Sequence, residues 1–123
     1  MDTIEKIEAF KKRTKAMALR IIKMYQQLPK TGEAQVIGKQ VLRSGTSVAA
    51  NYRAVARNKS EADKIHKLGT VVEEADETMF WLELIVEAEI VSHAKLKDLM
   101  QECGEILKIA STSLHKLKVK NNK

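Results

Sequence analysis

Residues 60–91 read Ser-Glu-Ala-Asp-Lys-Ile-His-Lys-Leu-Gly-Thr-Val-Val-Glu-Glu-Ala-Asp-Glu-Thr-Met-Phe-Trp-Leu-Glu-Leu-Ile-Val-Glu-Ala-Glu-Ile-Val. Ile65, Leu68, Val72, Ala75, Met79, Leu82 and Val86 recur every three or four residues. That spacing puts them on one face of a helix, close to the 3.5-residue repeat of a left-handed bundle seam. Ser60 and Asp63 have the spacing of a capping box: the Ser60 hydroxyl accepts from the Asp63 N–H and Asp63 answers. A helix is expected over 61–91. It is too apolar for one core. Phe80, Trp81, Leu84 and Ile85 point away from the stripe, so the helix should be buried on more than one side. In a chain of 123 residues the extra side is expected to meet another subunit.

The same spacing holds outward in both directions. Ile7, Phe10, Met17, Ile21, Met24 and Leu28 mark a helix over 3–28, with Thr14 a polar gap and Asp2 a candidate cap. Ala34, Ile37, Val41, Val48, Tyr52 and Val55 mark 33–57. Leu96, Leu99, Cys103, Ile106, Ala110 and Leu117 mark 93–117, with Ser92 as N-cap. The breaks fall at Pro29, at Asn58-Lys59 and at Ser92. Pro29 cannot continue a helix and biases Leu28 out of the α region. One Pro and five Gly leave few other places to turn. The expected fold is all-α: one domain over 1–123, an up-down-up-down four-helix bundle, with a basic tail at 118–123 that frays.

Charge is shared unevenly. Residues 60–92 carry two basic and nine acidic side chains, whereas the whole chain has net charge +6. Either the acidic helix is neutralised by its basic neighbours, or a basic face is left over for an anionic partner. The cations Lys12, Arg13 and Arg20 on the first helix, with Asn51, Arg53, Arg57 and Lys59 around the second, are the candidates for contact with RNA or DNA. Lys11, Lys15 and Lys23 belong to the same basic set. Five aromatics are too few for a base-stacking platform, so backbone contact is the expected mode. A hairpin about Asn58-Lys59 places Arg43 opposite Glu74 and Gln40 opposite Glu77, and predicts an ion pair there.

Chemistry is sparse. Asp63-x-x-His66 occurs once, and neither His93 nor His115 has an acidic residue three positions before it, so no di-iron pattern exists and no metal or cofactor is expected. Cys103 lies on the core stripe as a small hydrophobe. Glu73, Glu74, Asp76 and Glu77 read as a solvated or ion-paired face. The chain is not expected to be an enzyme. A lone cysteine, no apolar signal core and no spanning run make a cytoplasmic protein the expectation.

Two segments carry a family resemblance. One is Val41-Leu42-Arg43-Ser44-Gly45-Thr46-Ser47-Val48-Ala49-Ala50-Asn51-Tyr52-Arg53-Ala54, followed by Arg57. The other is Glu73-Glu74-Ala75-Asp76-Glu77-Thr78-Met79-Phe80-Trp81-Leu82-Glu83-Leu84. Together they resemble the bacterial four helix bundle proteins, also called 23S rRNA intervening-sequence proteins, from about Ile7 to about Leu117. Position 49 is Ala where many members have Gly or Pro, and the basic tail is not a hallmark. The resemblance implies an antiparallel bundle and a ring-like homo-oligomer, commonly a pentamer. Such a ring suits the apolar excess at Phe80, Trp81, Leu84 and Ile85. It carries no catalytic residue. Arg43, Asn51, Arg57, Glu74, Glu77 and Trp81 match recurrent positions; Arg43, Glu74 and Glu77 would hold the hairpin, and Asn51, Arg53 and Arg57 would meet a partner. A family of similar fold, the accessory proteins of diversity-generating retroelements, consists of basic oligomers that bind nucleic acid and a reverse transcriptase. The remaining alternative is a protein-interaction scaffold that binds no nucleic acid.

Overall fold

Four helices account for nearly all of residues 3–122, the part of the chain that the computed structural model describes. They are α1 (Ile4–Gln26), α2 (Gly32–Arg57), α3 (Glu61–Glu87) and α4 (His93–Asn121), with no strand among the described residues. Short connections make consecutive helices antiparallel neighbours. α2 packs on α1 and α3, and α4 packs on α3. The α1 and α4 backbones approach each other least of the four neighbouring pairs.

Each start is set by local chemistry. Thr3 caps α1, its hydroxyl accepting from the Lys6 N–H at 3.0 Å. Asp2, the cap expected from sequence, lies outside the described residues. At α3 the Asp63 N–H donates to Ser60 Oγ at 3.3 Å, but the Ser60 N–H donates to Asn58 Oδ1 at 3.1 Å rather than to Asp63. The capping box is therefore one-sided. α4 continues as helix to Asn121, where a frayed tail from residue 118 was expected.

α3 stops four residues earlier than the pattern suggests. Glu89 takes φ 61°. Its N–H donates to the Val86 carbonyl at 3.0 Å, and the Ile90 N–H donates to the Ile85 carbonyl at 2.9 Å. This is a Schellman end with a glutamate in the left-handed position that glycine favours. Glu89→Gly is expected to raise stability by about 1 kcal/mol, read as a higher urea midpoint at unchanged m-value.

The buried face of α3 is Leu68, Val71, Ala75, Thr78, Leu82 and Ile85. It is a strict alternation of three and four that keeps Leu68, Ala75 and Leu82 of the apolar stripe but buries Val71, Thr78 and Ile85 where the sequence suggests Val72, Met79 and Val86. Val72, Met79 and Val86 sit on its shoulder, partly buried. The reason is Thr78. Its hydroxyl reaches the Glu74 carbonyl at 2.7 Å and lies 2.9 Å from Ser44 Oγ of α2. Two hydroxyls that satisfy each other can be buried at little cost. Thr14 likewise fills its supposed gap, fully buried and donating to the Lys11 carbonyl at 3.0 Å.

α1 and α2 meet over small residues. A Cβ added at Gly45 would stand 2.3 Å from Ile21 Cδ1, and one at Gly38 would stand 2.5 Å from Leu28 Cδ1. These two glycines, seven residues apart, let α1 lie close along α2. At the other end Phe10 meets Tyr52 edge-on, ring centroids 4.7 Å apart.

Candidate nucleic-acid interface

The cations of α1 and α2 converge on the seam between those helices. Lys11, Lys12 and Lys15 of α1 and Arg53 of α2 line a groove of about 380 Å³ floored by Ala49 and Ala50. Short alanines leave the groove open, and the antiparallel register brings the first half of α1 beside the second half of α2. Lys12, Lys15 and Arg53 are exposed, whereas Lys11 Nζ is 3.1 Å from Glu8 Oε1. Arg57, one turn beyond Arg53, and Lys59 in the next connection are also exposed. Fixed cations beside an open groove can neutralise phosphates.

Three expected contacts do not join this groove. Arg13 is engaged elsewhere. Its Nε and Nη2 donate to Glu102 of α4 at 2.7 and 2.8 Å, and Nη2 also donates to Glu105 at 2.5 Å. The guanidinium clasps the wide α1–α4 seam, and its hydrogen bond, with help from Gln101, holds the Glu105 carboxyl below its usual range. Asn51 lies about 160° around α2 from Arg53, given roughly 100° per residue. Its amide donates to the Ser47 carbonyl and hydroxyl, both at 2.9 Å. Arg20 borders a different groove, of about 550 Å³, with Lys23 and Lys95.

Arg43 joins α2 to α3. Its Nη1 is 3.2 Å from Glu74 Oε2, and its Nη2 donates to Glu77 Oε2. Gln40 accepts from Arg43 Nε at 3.4 Å, so it bears on the arginine rather than on Glu77. Glu77 also receives the Trp81 indole N–H at 3.0 Å. Trp81 is thereby held half-buried against the bundle, edge-to-face with Phe80 at 5.0 Å. Leu84 is half-buried, and Phe80 is 50% exposed. Ile85, expected at an interface, is fully buried in the chain's own core because it is the last member of the buried α3 stripe.

No group of three or more His, Cys, Asp or Glu among the described residues could hold a metal ion. No helix among them is long and apolar enough to cross a membrane. Cys103 is fully buried, its Sγ 3.5 Å from the Ala75 carbonyl. Burial, with Glu102 and Asp76 adding negative charge, pushes its thiol up from 9.0 to about 12. Two results are expected. The thiol resists iodoacetamide in the native state and reacts on unfolding, read by mass spectrometry. Because the folded thiol ionises later than the unfolded one, its contribution to stability is whole below about pH 9 and is lost as pH rises toward 12.

The model of the 23S rRNA-intervening sequence protein family matches residues 5–112. A comparison with curated proteins finds no match. A crystal structure from Bacteroides thetaiotaomicron, of a protein described as having unknown function and coming from the S23 ribosomal protein family, superimposes with a TM-score of 0.82. The two are 34% identical over 89% of this chain and 98% of that one. With most of its length matched by the family model and its fold shared with a 34% identical relative, the chain belongs to the 23S rRNA-intervening sequence protein family.

Proposed function

We propose that the protein is a non-enzymatic, self-associating helical bundle that binds RNA or DNA by backbone contact along the α1–α2 groove. The observation that carries this reading is the gathering of Lys12, Lys15 and Arg53, with Lys11 beside them, around one open groove. Arg57 and Lys59 extend the row. A groove of this kind neutralises phosphates and releases counterions without reading bases. Self-association into a ring would repeat the groove around the assembly and multiply weak contacts.

The test is the triple reversal Lys12→Glu, Lys15→Glu, Arg53→Glu, titrated against labelled duplex DNA and structured RNA. Affinity at low salt is expected to fall at least about tenfold, since about three phosphate contacts are lost, while helicity and melting midpoint stay put. Unchanged affinity would remove the groove from the reading.

A second reading, a protein-interaction scaffold, rests on Phe80. A half-exposed phenylalanine on a helix lined by carboxylates is an anchor for a protein surface rather than for phosphates.

A further inference from the structure

The seam between α1 and α4 is open because those backbones approach least closely, and Arg13 spans it to reach Glu102. The groove left there holds about 460 Å³, a size that suits a small molecule. Ala9, Phe10 and Ile109 floor it, and Lys108 and Lys116 are exposed on its rim. Among the described residues no acidic one lines it. Ser113 decides what it can hold. The buried polar residues are Thr14, Ser44, Thr78 and Ser113. Thr14 donates to the Lys11 carbonyl, Ser44 to the Val41 carbonyl and Thr78 to the Glu74 carbonyl. Ser113 is 7% exposed and lines the groove, yet its hydroxyl bonds to no described residue. No fully enclosed side-chain oxygen or nitrogen among the described residues goes without a partner, so this hydroxyl is the part of Ser113 that opens into the groove. A helical serine commonly bonds back to the preceding turn. One that does not keeps a donor ready for a ligand.

We propose that the α1–α4 groove binds a free medium-chain carboxylate, its head between the Ser113 hydroxyl and the Lys116 ammonium and its chain lying over Ile109 and Phe10 toward Arg13. Ile109, Ser113 and Lys116 step by four and three, so they lie in one line along α4. The hydroxyl donates to one carboxylate oxygen and the ammonium to the other, and hydrogen bonds to a charged acceptor are the strong ones. The apolar floor takes the chain, each buried methylene adding affinity. Arg13 is committed to Glu102 and Glu105, so it closes the far end rather than competing for the head. From Ser113 back to Glu105 is roughly 12 Å of helix, a length that a medium acyl chain spans. The site is separate from the α1–α2 groove and does not rest on nucleic-acid binding.

The test is calorimetric titration of the full-length protein with butyrate, hexanoate, octanoate, decanoate and dodecanoate, all below their micelle concentrations, with decanol as the uncharged control. Affinity is expected to tighten about two- to fourfold per added methylene and to level off by dodecanoate, when the chain reaches the Arg13 clasp. Decanol should bind at least about tenfold more weakly than decanoate. Ser113→Ala and Lys116→Glu should each weaken decanoate about tenfold by removing a donor to a charged group. Ala9→Trp should fill the groove and abolish binding. Helicity and melting check that each variant folds. Ala9 and Lys116 are exposed, so those two variants carry the test if Ser113→Ala misfolds. No saturable decanoate binding, equal binding of decanol, or folded variants that bind as the wild type does would each overturn the proposal. Duplex binding by Lys116→Glu, whose α1–α2 cations are untouched, separates failure here from failure of the nucleic-acid reading.

Discussion

Tyr52→Ala is expected to destabilise the protein by about 3–5 kcal/mol, the usual cost of removing a buried aromatic ring. Tyr52 is fully buried and stands edge-on to Phe10, which is itself 6% exposed. Its ring joins α2 to α1 where the Thr3-capped end of α1 would otherwise fray. Burial, reinforced by the charge of Glu8, pushes its phenol well above the usual tyrosine range, so the hydroxyl stays protonated across ordinary pH. A chain of this size has roughly 5–15 kcal/mol in all. The loss should therefore appear as a large drop in urea midpoint and a population of unfolded protein near 37 °C. Tyr52→Phe should retain most of the stability, because the ring packing survives. A loss below about 1 kcal/mol for the alanine variant would mean the ring is not packed as described.

The second large effect is expected at Gly45. A leucine there should cost about 1–3 kcal/mol through overpacking, because α1 leaves no room for a side chain. The atom in the way is Ile21 Cδ1, 2.3 Å from an added Cβ, and Ile21 is itself fully buried. This gives a sharper test by a double-mutant cycle. Gly45→Ala alone sets a gain in helix propensity of about 1 kcal/mol against that clash, and the two roughly offset. In an Ile21→Val background the clashing methyl is gone, so the same Gly45→Ala change should become stabilising. Purely additive effects from chemical denaturation would contradict the close approach of α1 to α2.

The places where sequence reading succeeded and failed have physical causes. The α2–α3 register was legible because a short hairpin fixes which residues face each other, and Arg43 meets Glu74 at 3.2 Å as that register requires. The Arg13 clasp was not legible. Its partners Glu102 and Glu105 are 89 and 92 positions away, and no turn ties α1 to α4. Every second member of the α3 stripe was placed one residue too far along, because counting apolar residues skips Thr78, whose burial depends on Ser44 of another helix. That displacement sent Ile85 to the surface on paper when it closes the core in the folded chain. The end of α3 was hidden because Glu89, not glycine or asparagine, occupies the left-handed position. Gly38 and Gly45 were passed over as scarce turn residues when they are packing surfaces inside a helix.

For the basic residues, composition gave the sign and the fold gave the grouping. Lys12 and Arg53 share a groove, Arg20 faces another, and Arg13 and Asn51 are committed inside the molecule. The acidic helix is only partly answered within the chain. Arg43 pairs with Glu74 and Glu77, while Glu73, Asp76, Glu83 and Glu87 remain on an exposed ridge. Opposite charge is thus held on separate faces of one molecule, an arrangement suited to contact between copies as well as with polyanions.

The most direct test of the account is binding of the wild-type protein to labelled duplex DNA and structured RNA across a salt series. If about four groove cations neutralise phosphates, log K should fall against log salt with a slope of about −3 to −4, steeper if several grooves engage one strand. No binding at about 50 mM salt, or affinity that does not change with salt, would contradict the account. The positive charge would then serve the assembly alone.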